Sequence, residues 1–196
     1  MPSSSSNHEE ALELLPGKIE RIEVQKKNHQ RYSIFVSGSF LVGVSETVLI
    51  KCGLKKGIVF TPELYREVEE AEYRQQIRHY LLDLLSRRDH ASRELQIKGR
   101  KKGYPKEILN ELIEDLKDKG YINNLKFAEK FSREKAYLKN WGALKIKSEL
   151  LSKGIASSDA ESAINRVFED VDTEKAMLEL ILKRLPTIKR TEQSKR

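Results

Sequence analysis

The residues of this 196-residue chain that are the clearest candidates for a function are lysines and arginines, which are concentrated in three stretches. Arg87 to Lys106 holds eight of them against two acids, Arg133 to Lys153 six against two, and Lys183 to Arg196 six against one. Like charges gathered in this way repel one another unless an anionic partner offsets them, which favours a polyanion surface; a solvated helix face is the alternative. The candidate contact residues are Arg87, Arg88, Arg93, Lys98, Arg100, Lys101, Lys102, Lys139, Lys145 and Lys147.

Catalytic chemistry is not indicated by the remaining polar residues. The four histidines are scattered, and Cys52 is the single cysteine, which excludes an internal disulfide and a cysteine-rich zinc site. No phosphate-binding loop, metal-ligand cluster or nucleophile–base pair is recognisable, so we expect no enzyme activity, no cofactor and no metal. Tyr104 and Trp141 flank the basic stretches and could stack on bases, but packing at a helix junction is favoured for both.

The basic stretches belong to helices whose ends the sequence marks. Pro105 suits a first helical turn, and apolar residues then recur with helical periodicity as far as Leu116. Gly120 stands where a helix C-cap needs a left-handed residue, and Asn124 is predicted to cap the next helix. The apolar residues predicted to carry that helix are Phe127, Ala128, Phe131 and Leu138.

An internal repeat relates this region to the next one. Lys102-Gly103-Tyr104 recurs 51 residues later as Lys153-Gly154-Ile155. The apolar positions then match, Leu95 with Ile146, Leu112 with Ala163, Ile113 with Ile164 and Leu116 with Val167. Any two amphipathic helices can align in this way, but repeats of this size usually mean stacked helical units. The basic residues fall on the second helix of each unit and its flanks.

The chain is predicted to have five segments. They are a disordered tail (1–16), a β-rich N-terminal extension with a connecting helix (17–72), three-helix repeat 1 (73–120), three-helix repeat 2 (121–171), and the first helix of a partial repeat 3 with a basic tail (172–196). Three short β-type runs predict an antiparallel meander that packs on the long helix from Pro62 to Arg87. An apolar stripe from Met177 to Leu185 is expected to pack on repeat 2 or to pair with a second molecule.

The residues of the helix junction resemble a known family, the bacterial RecX regulatory proteins. The segment GYINNLKFAEKF, beginning at Gly120, is similar to the family's Gly-hydrophobic-acidic-acidic-x-x-Phe-Ala signature. RRDHASREL at Arg87 and WGALKIKSELLSKGI at Trp141 support it, and the resemblance extends over about residues 18–185. The family's paired acids stand here as Asn123 and Asn124, which keeps helix capping and removes charge.

This resemblance implies a mostly α fold, tandem three-helix repeats forming an elongated curved array, with a small β-rich N-terminal extension. It also implies a non-enzymatic role: binding along the groove of a RecA filament on single-stranded DNA, lowering its ATPase and strand exchange and limiting its growth. The alternative is a helical nucleic-acid-binding protein that acts without RecA. No apolar run approaches the roughly 18 residues of a membrane span, so a cytoplasmic protein without membrane contact is expected. We also expect a monomer.

Overall fold

The strands of the N-terminal part form one antiparallel sheet in the computed structural model, which describes residues 11–169. The strands are β1 (Gly17–Gln25), β2 (Asn28–Val36), β3 (Ser39–Ser45) and β4 (Val59–Phe60), in the order β3-β2-β1-β4. Ile34 in the centre pairs with Ile22 on one side and Val42 on the other. The predicted meander of the first three strands is therefore present, and β4 pairs with the first two residues of β1.

The sheet buries an apolar face against two helices. These are α1 (Glu46–Lys51) and the first turns of α2 (Pro62–Arg87). Val48 from α1 and Tyr65 and Val68 from α2 enter the same core as Ile34 and Phe60 of the sheet. A small sheet needs such a partner to exclude water from its apolar side, and the predicted packing of the meander on the long helix is found.

Residues 11–15 differ from the predicted disordered tail. Residues 11–13 are helical, and Ala11 is buried in the core of the sheet. Leu12, Leu14 and Leu15 pack on that core as half-buried side chains. Apolar side chains in this short segment therefore hold it against the sheet, a feature that the neighbouring serine run obscures in the sequence. Residues 1–10 lie outside the described part of the chain.

A second compact unit begins at Leu84, in the last turn of α2, while the first ends at Asp83. Its further described helices are α3 (Ser92–Lys101), α4 (Lys106–Asp118), α5 (Asn124–Lys139), α6 (Ala143–Ser152) and α7 (Ser157–Glu169). The predicted fold class, a mostly helical chain of three-helix repeats that follow a small β-rich part in the sequence, is confirmed. The predicted third-repeat helix and basic tail lie outside the described residues.

The helix pairs α3–α4 and α6–α7 repeat one packing arrangement. All four predicted apolar matches are buried in both copies: Leu95 and Ile146, Leu112 and Ala163, Ile113 and Ile164, Leu116 and Val167. Polar contacts between the helices repeat as well. Gln96 Nε2 donates to Asn110 Oδ1 at 3.1 Å, and 51 residues later Lys147 Nζ donates to Glu161 Oε1 at 2.7 Å. The internal repeat seen in the sequence is therefore a structural repeat.

The helix α5 packs on the core of repeat 2 from its first turn as far as Ala136. Phe127 and Ala128 are buried, and the Phe127 and Phe131 rings stack with centroids 6.1 Å apart. Leu138 was expected on this face, and that expectation is wrong, because its side chain is 73% exposed. The α5 side chains that pack on this core end at Ala136, so Leu138 lies past the buried face.

Two asparagines stand at the start of α5, and each accepts hydrogen bonds at the start of a different helix. Asn123 is the N-cap, since its side chain accepts a hydrogen bond from the Lys126 N–H at 2.8 Å. Asn124 Oδ1 instead accepts from the Ser92 N–H and the Ser92 hydroxyl, both at 3.1 Å. Ala91, the N-cap of α3, makes no side-chain cap bond. Asn124 therefore satisfies the start of α3 from repeat 2, and the predicted cap is off by one residue.

Gly120 ends α4 in the left-handed conformation that the sequence predicted, with φ +76°. Its N–H donates to Lys117 O at 2.8 Å, and the Tyr121 N–H donates to Leu116 O at 2.9 Å. This pair of bonds is a Schellman motif, which satisfies the last carbonyls of the helix. The turn after α4 thus depends on a residue that accepts positive φ.

We expect Gly120→Ser to lower the free energy of unfolding by about 1–2 kcal/mol, because an L-residue in the left-handed region is strained. The matched control is Gly142→Ser at the N-cap of α6, where φ is −74° and serine is a favoured capping residue. Urea denaturation followed by circular dichroism measures both. Equal stability of wild type and Gly120→Ser would show that the turn adapts without strain.

Candidate nucleic-acid interface

A basic groove lies between α3 and α4 of repeat 1. It has a volume of about 260 Å³. The residues that line it are Arg93, Gln96, Ile97, Arg100, Lys106, Leu109 and Asn110. Arg93, Ile97 and Arg100 stand at i, i+4 and i+7 of α3, so they form one stripe along the helix. The fold therefore places three cations around a narrow depression.

Close packing of the two helices sets the floor of this groove. Gly99 is buried on α3, and a Cβ built there would lie 2.4 Å from Leu109 Cδ2 of α4. A larger residue at this position would require the Leu109 side chain to move. The Gln96–Asn110 hydrogen bond joins the same two helices beside this contact. A close glycine contact and an amide hydrogen bond thus join the two helices that carry the cations.

The cations of the basic groove project into solvent. Arg93, Arg100 and Lys106 are exposed, and within residues 11–169 none forms an ion pair with a carboxylate. The predicted Arg93 and Arg100 are thereby brought together, whereas Lys106 was not among the named candidates. The chain reversal at Gly103 brings Lys106 back towards Arg100. The predicted Lys101 and Lys102 are also exposed, at the end of α3, but they do not line the groove.

The other predicted cations of repeat 1 are engaged elsewhere. Arg88 Nη1 donates to Asp89 O at 2.9 Å and to Glu94 Oε2 at 3.2 Å. Arg87 and Lys98 each interact with a further group of the protein. These three residues do not line the basic groove. The number of lysines and arginines in this stretch of the sequence therefore overstates the size of the basic surface.

Repeat 2 does not reproduce the basic groove. Lys147 is held by Glu161 in the ion pair described above, and the Lys145 ammonium lies 4.1 Å from the centre of the Trp141 ring. Lys139, the third predicted cation here, is exposed at the end of α5. The positions equivalent to Arg93 and Arg100 are occupied by Leu144 and Leu151. Trp141 is half-buried against the core of repeat 2, which agrees with a packing role.

A half-buried carboxylate joins the two repeats beside the groove. Glu94 on α3 accepts from Lys153 Nζ at 2.9 Å through Oε1 and from Arg88 through Oε2, and its side chain is 16% exposed. His90 Nδ1 lies 3.3 Å from the same Oε2. Lys153 is the C-cap of α6, so the end of that helix is bound to the first turn of α3.

The charges around Glu94 determine its ionisation. Burial is the largest single influence and raises the pKa, but the hydrogen bond and charge of Lys153, with those of Arg88, outweigh it and bring the pKa to about 2. For His90, burial and the charges of Arg88 and Lys98 lower the pKa, although Glu94 opposes this. At neutral pH the cluster therefore contains an ionised carboxylate and a neutral imidazole.

Arg93 is positioned by the same junction. A Cβ on Gly154, just after α6, would lie 2.7 Å from Arg93 Cδ and 2.8 Å from Arg93 Cβ. The aliphatic part of Arg93 therefore rests on the glycine of repeat 2, and its guanidinium is presented to the groove of repeat 1. Sequence reasoning missed this contact because the two residues are far apart in the chain.

Other site chemistries find no support between residues 11 and 169. That part of the chain contains no cluster of His, Cys, Asp or Glu residues able to hold a metal ion. None of its helices is long and apolar enough to cross a membrane.

Comparison with known families matches all three parts of this architecture in order. Residues 17–61 match the regulatory protein RecX N-terminal domain, 78–116 the first RecX three-helix domain, and 123–164 the second RecX three-helix domain. The chain belongs to the RecX family. The RecX matches cover the sheet, the basic groove of repeat 1 and, in repeat 2, α5, α6 and the first half of α7.

Individual RecX proteins agree with this assignment. The regulatory protein RecX of Halalkalibacterium halodurans is 32% identical over 167 residues, covering 82% of this chain and 63% of that protein. The Leuconostoc mesenteroides RecX protein is 31% identical over 173 residues, with 88% and 64% covered. A crystal structure of regulatory protein RecX superposes with a TM-score of 0.80 at 25% identity, covering 89% of this chain and 85% of that one. The chain spans a little under two thirds of the length of the Halalkalibacterium halodurans and Leuconostoc mesenteroides proteins.

The ionisation of Glu94 predicts a pH dependence of the stability of this protein. Its folded pKa of about 2 lies below the ordinary value of 4.5, so its stabilising contribution is present above that ordinary value and is lost as the pH falls from about 5 to about 2. We expect Glu94→Gln to cost roughly 2 to 3 kcal/mol at pH 7 and to flatten the acid limb of stability.

Denaturant titrations between pH 7 and pH 3 measure this effect. Glu114→Gln is the control, because the Glu114–Lys117 pair lies on the surface of α4, where an ion pair contributes little. If Glu94→Gln and wild type lost stability in parallel over this range, the carboxylate would not be the group that titrates.

Proposed function

We propose that this chain is a regulatory protein without catalytic activity of its own, which binds RecA filaments on single-stranded DNA. In this role it lowers ATP hydrolysis and strand exchange by RecA and limits filament growth in DNA repair and recombination. Family membership supports a regulatory role, and the observation that carries the proposal is the ordered match of all three RecX domains. Because these partners are found in the bacterial cytoplasm, we expect the protein to act there. We expect it to act as a monomer.

The basic groove supplies a physical basis for contact with the filament. Arg93, Arg100 and Lys106 surround a depression floored by Leu109, with the exposed Ile97 beside them. Guanidinium and ammonium groups bind phosphate oxygens, while an aliphatic side chain can contact a sugar or a base. A phosphodiester backbone therefore fits this surface better than a folded acidic protein does.

Binding of this kind needs no chemistry from the regulator. A protein that contacts neighbouring subunits or the DNA of a filament changes the equilibrium between filament states through differential binding. ATP hydrolysis by RecA then falls because fewer subunits occupy the active arrangement.

A second candidate function is that of a nucleic-acid-binding helical protein that acts without RecA. The basic groove also favours this function, because phosphate contacts carry no information about a protein partner. The two functions are distinguished by comparing filaments with naked DNA.

RecA turnover provides the direct test. We expect the protein, at substoichiometric to equal amounts, to slow ATP hydrolysis by RecA on single-stranded DNA, measured as phosphate release. The parallel measurement is binding of the protein to naked single-stranded DNA by fluorescence anisotropy. Unchanged RecA turnover with tight binding to naked DNA would leave the nucleic-acid-binding function as the better description.

Salt dependence provides a test of the basic groove. The triple variant Arg93→Gln, Arg100→Gln, Lys106→Gln should bind single-stranded DNA more weakly. Each lost phosphate contact should flatten the log–log salt dependence by roughly 0.7, or about 2 for all three. The matched control replaces Lys18, Lys55 and Lys56, exposed cations of the first unit, by Gln. An equal loss in both triple variants would show that net charge drives binding.

A further inference from the structure

Two neutral amides lie among the cations of the basic groove. Gln96 Nε2 of α3 donates to Asn110 Oδ1 of α4 at 3.1 Å, and both side chains line the groove and are half-buried. In the part of the chain that the structure describes, the Gln96 carbonyl oxygen and the Asn110 N–H groups make no further hydrogen bond. The groove therefore contains one acceptor and one donor group that are available to a ligand. We call these two residues the amide pair.

Repeat 2 joins the equivalent helices with an ion pair. The offset of 51 residues places Gln96 on Lys147 and Asn110 on Glu161, whose charged atoms lie 2.7 Å apart. Packing of the two helices therefore does not require amides. The groove cations Arg93, Arg100 and Lys106 correspond to Leu144, Leu151 and Ser157. Repeat 1 thus has both the amides and the cations at these positions, and repeat 2 has neither, which indicates that they belong to one site.

The amides and the cations suit different parts of a nucleotide. Phosphate oxygens only accept hydrogen bonds, so arginine and lysine bind them well, whereas a carbonyl oxygen such as that of Gln96 repels them. The edge of a nucleobase presents donors and acceptors side by side, and carboxamide side chains match such an edge. The exposed Ile97 lies in the same groove and offers an aliphatic contact to a sugar or a base.

The position of the amide pair determines which form of nucleic acid can reach it. Both amides are half-buried between α3 and α4, in a groove of about 260 Å³. The base edges of a duplex are held in the stack and cannot enter a depression of this size. A base of a single strand can leave the stack, and its hydrogen-bonding edges are then free.

We propose that the amide pair binds the edge of one unpaired nucleobase while the surrounding cations hold the adjoining phosphates. Adenine is the favoured base, because an amino donor stands beside a ring-nitrogen acceptor on both of its free edges, and this is the pattern that Asn and Gln side chains bind. The inference rests on the proposed function and deepens it. The basic groove becomes a site for one nucleotide with a base preference, which neither a regulatory role nor phosphate contact requires.

The test introduces the ion pair of repeat 2 into repeat 1 of the full chain. Gln96→Lys with Asn110→Glu keeps the net charge and a link between the two helices, and it removes the amide pair. Gln96→Met is a second variant, which removes one amide and adds no charge, so a failure of the double variant to fold leaves the inference testable. Gln76→Met is the control, because Gln76 is exposed on α2 in the first unit. All the replacement residues are good helix formers.

Fluorescence anisotropy measures the binding of each protein to oligo(dA), to oligo(dT) and to an abasic strand of equal length. We expect both amide variants to bind oligo(dA) about fivefold more weakly than wild type and Gln76→Met do, which is the lower end of what a bidentate contact to a base contributes. The loss on oligo(dT) should be smaller. All four proteins should bind the abasic strand alike, because it keeps every phosphate. Stacking within a strand is the same for every protein and cancels in this comparison.

Several results would overturn the inference. One is equal affinity of wild type and the amide variants for oligo(dA), and another is an equal loss on the abasic strand, since phosphate contact would then have changed. A loss confined to duplex DNA would assign the amides to paired bases. A loss as large on oligo(dT) as on oligo(dA) would overturn the preference for adenine. If wild type bound none of the strands, the groove would not be a nucleic-acid site.

The rate of ATP hydrolysis by RecA tests the proposed function separately. Slower hydrolysis in the presence of wild type, together with equal binding of oligo(dA) by wild type and the amide variants, would leave the regulatory role standing and overturn base recognition. Unchanged hydrolysis, together with a loss on oligo(dA) in the amide variants, would overturn the regulatory role and support base recognition.

Discussion

The Glu94 carboxylate is the interaction on which the junction of the two repeats depends. It binds Lys153 at the end of α6 and Arg88, the residue just after α2. The same approach sets Gly154 against the aliphatic part of Arg93, and Asn124 against the start of α3. Burying a carboxylate costs free energy unless cations and hydrogen bonds offset it, so removal of one partner would weaken all three contacts. The position of Arg93 in the basic groove follows from that junction.

The helical frame could be predicted because it rests on local rules. Apolar spacing identified the buried residues of α3, α4, α6 and α7, and the glycine after α4 marked a helix end whose hydrogen bonds are found. The exceptions involve contacts that are distant in the sequence. Asn124 reaches Ser92 instead of capping its own helix, Leu138 extends past the core, and residues 11–15 pack on a sheet formed by later strands.

The functional surface was harder to predict, because the number of basic residues in a stretch of sequence does not show which of them form ion pairs. Lys147 and Arg88 read as available cations in the sequence, yet acids from other helices or turns bind them. Lys106 lies in the basic stretch and becomes part of the groove only through the reversal at Gly103. A count of lysines and arginines locates the region, whereas the partners across α3, α4 and α7 decide which side chains face solvent.

The hydrogen bond from Ser92 to Asn124 makes the two repeats non-interchangeable in their order along the chain. Within each repeat the cores are alike, so the modules look interchangeable. At the junction they are not: the equivalent of Ser92 is Ala143, which has no hydroxyl, and the equivalent of Glu94 is Lys145, with the opposite charge. If a second copy of repeat 2 followed the first, its Asn124 and Lys153 equivalents would face Ala143 and Lys145 in place of a hydroxyl and a carboxylate. Gene duplication can supply the helices of such a repeat. The hydrogen bonds and ion pairs between consecutive repeats must then evolve separately, so copying a repeat does not by itself lengthen the array.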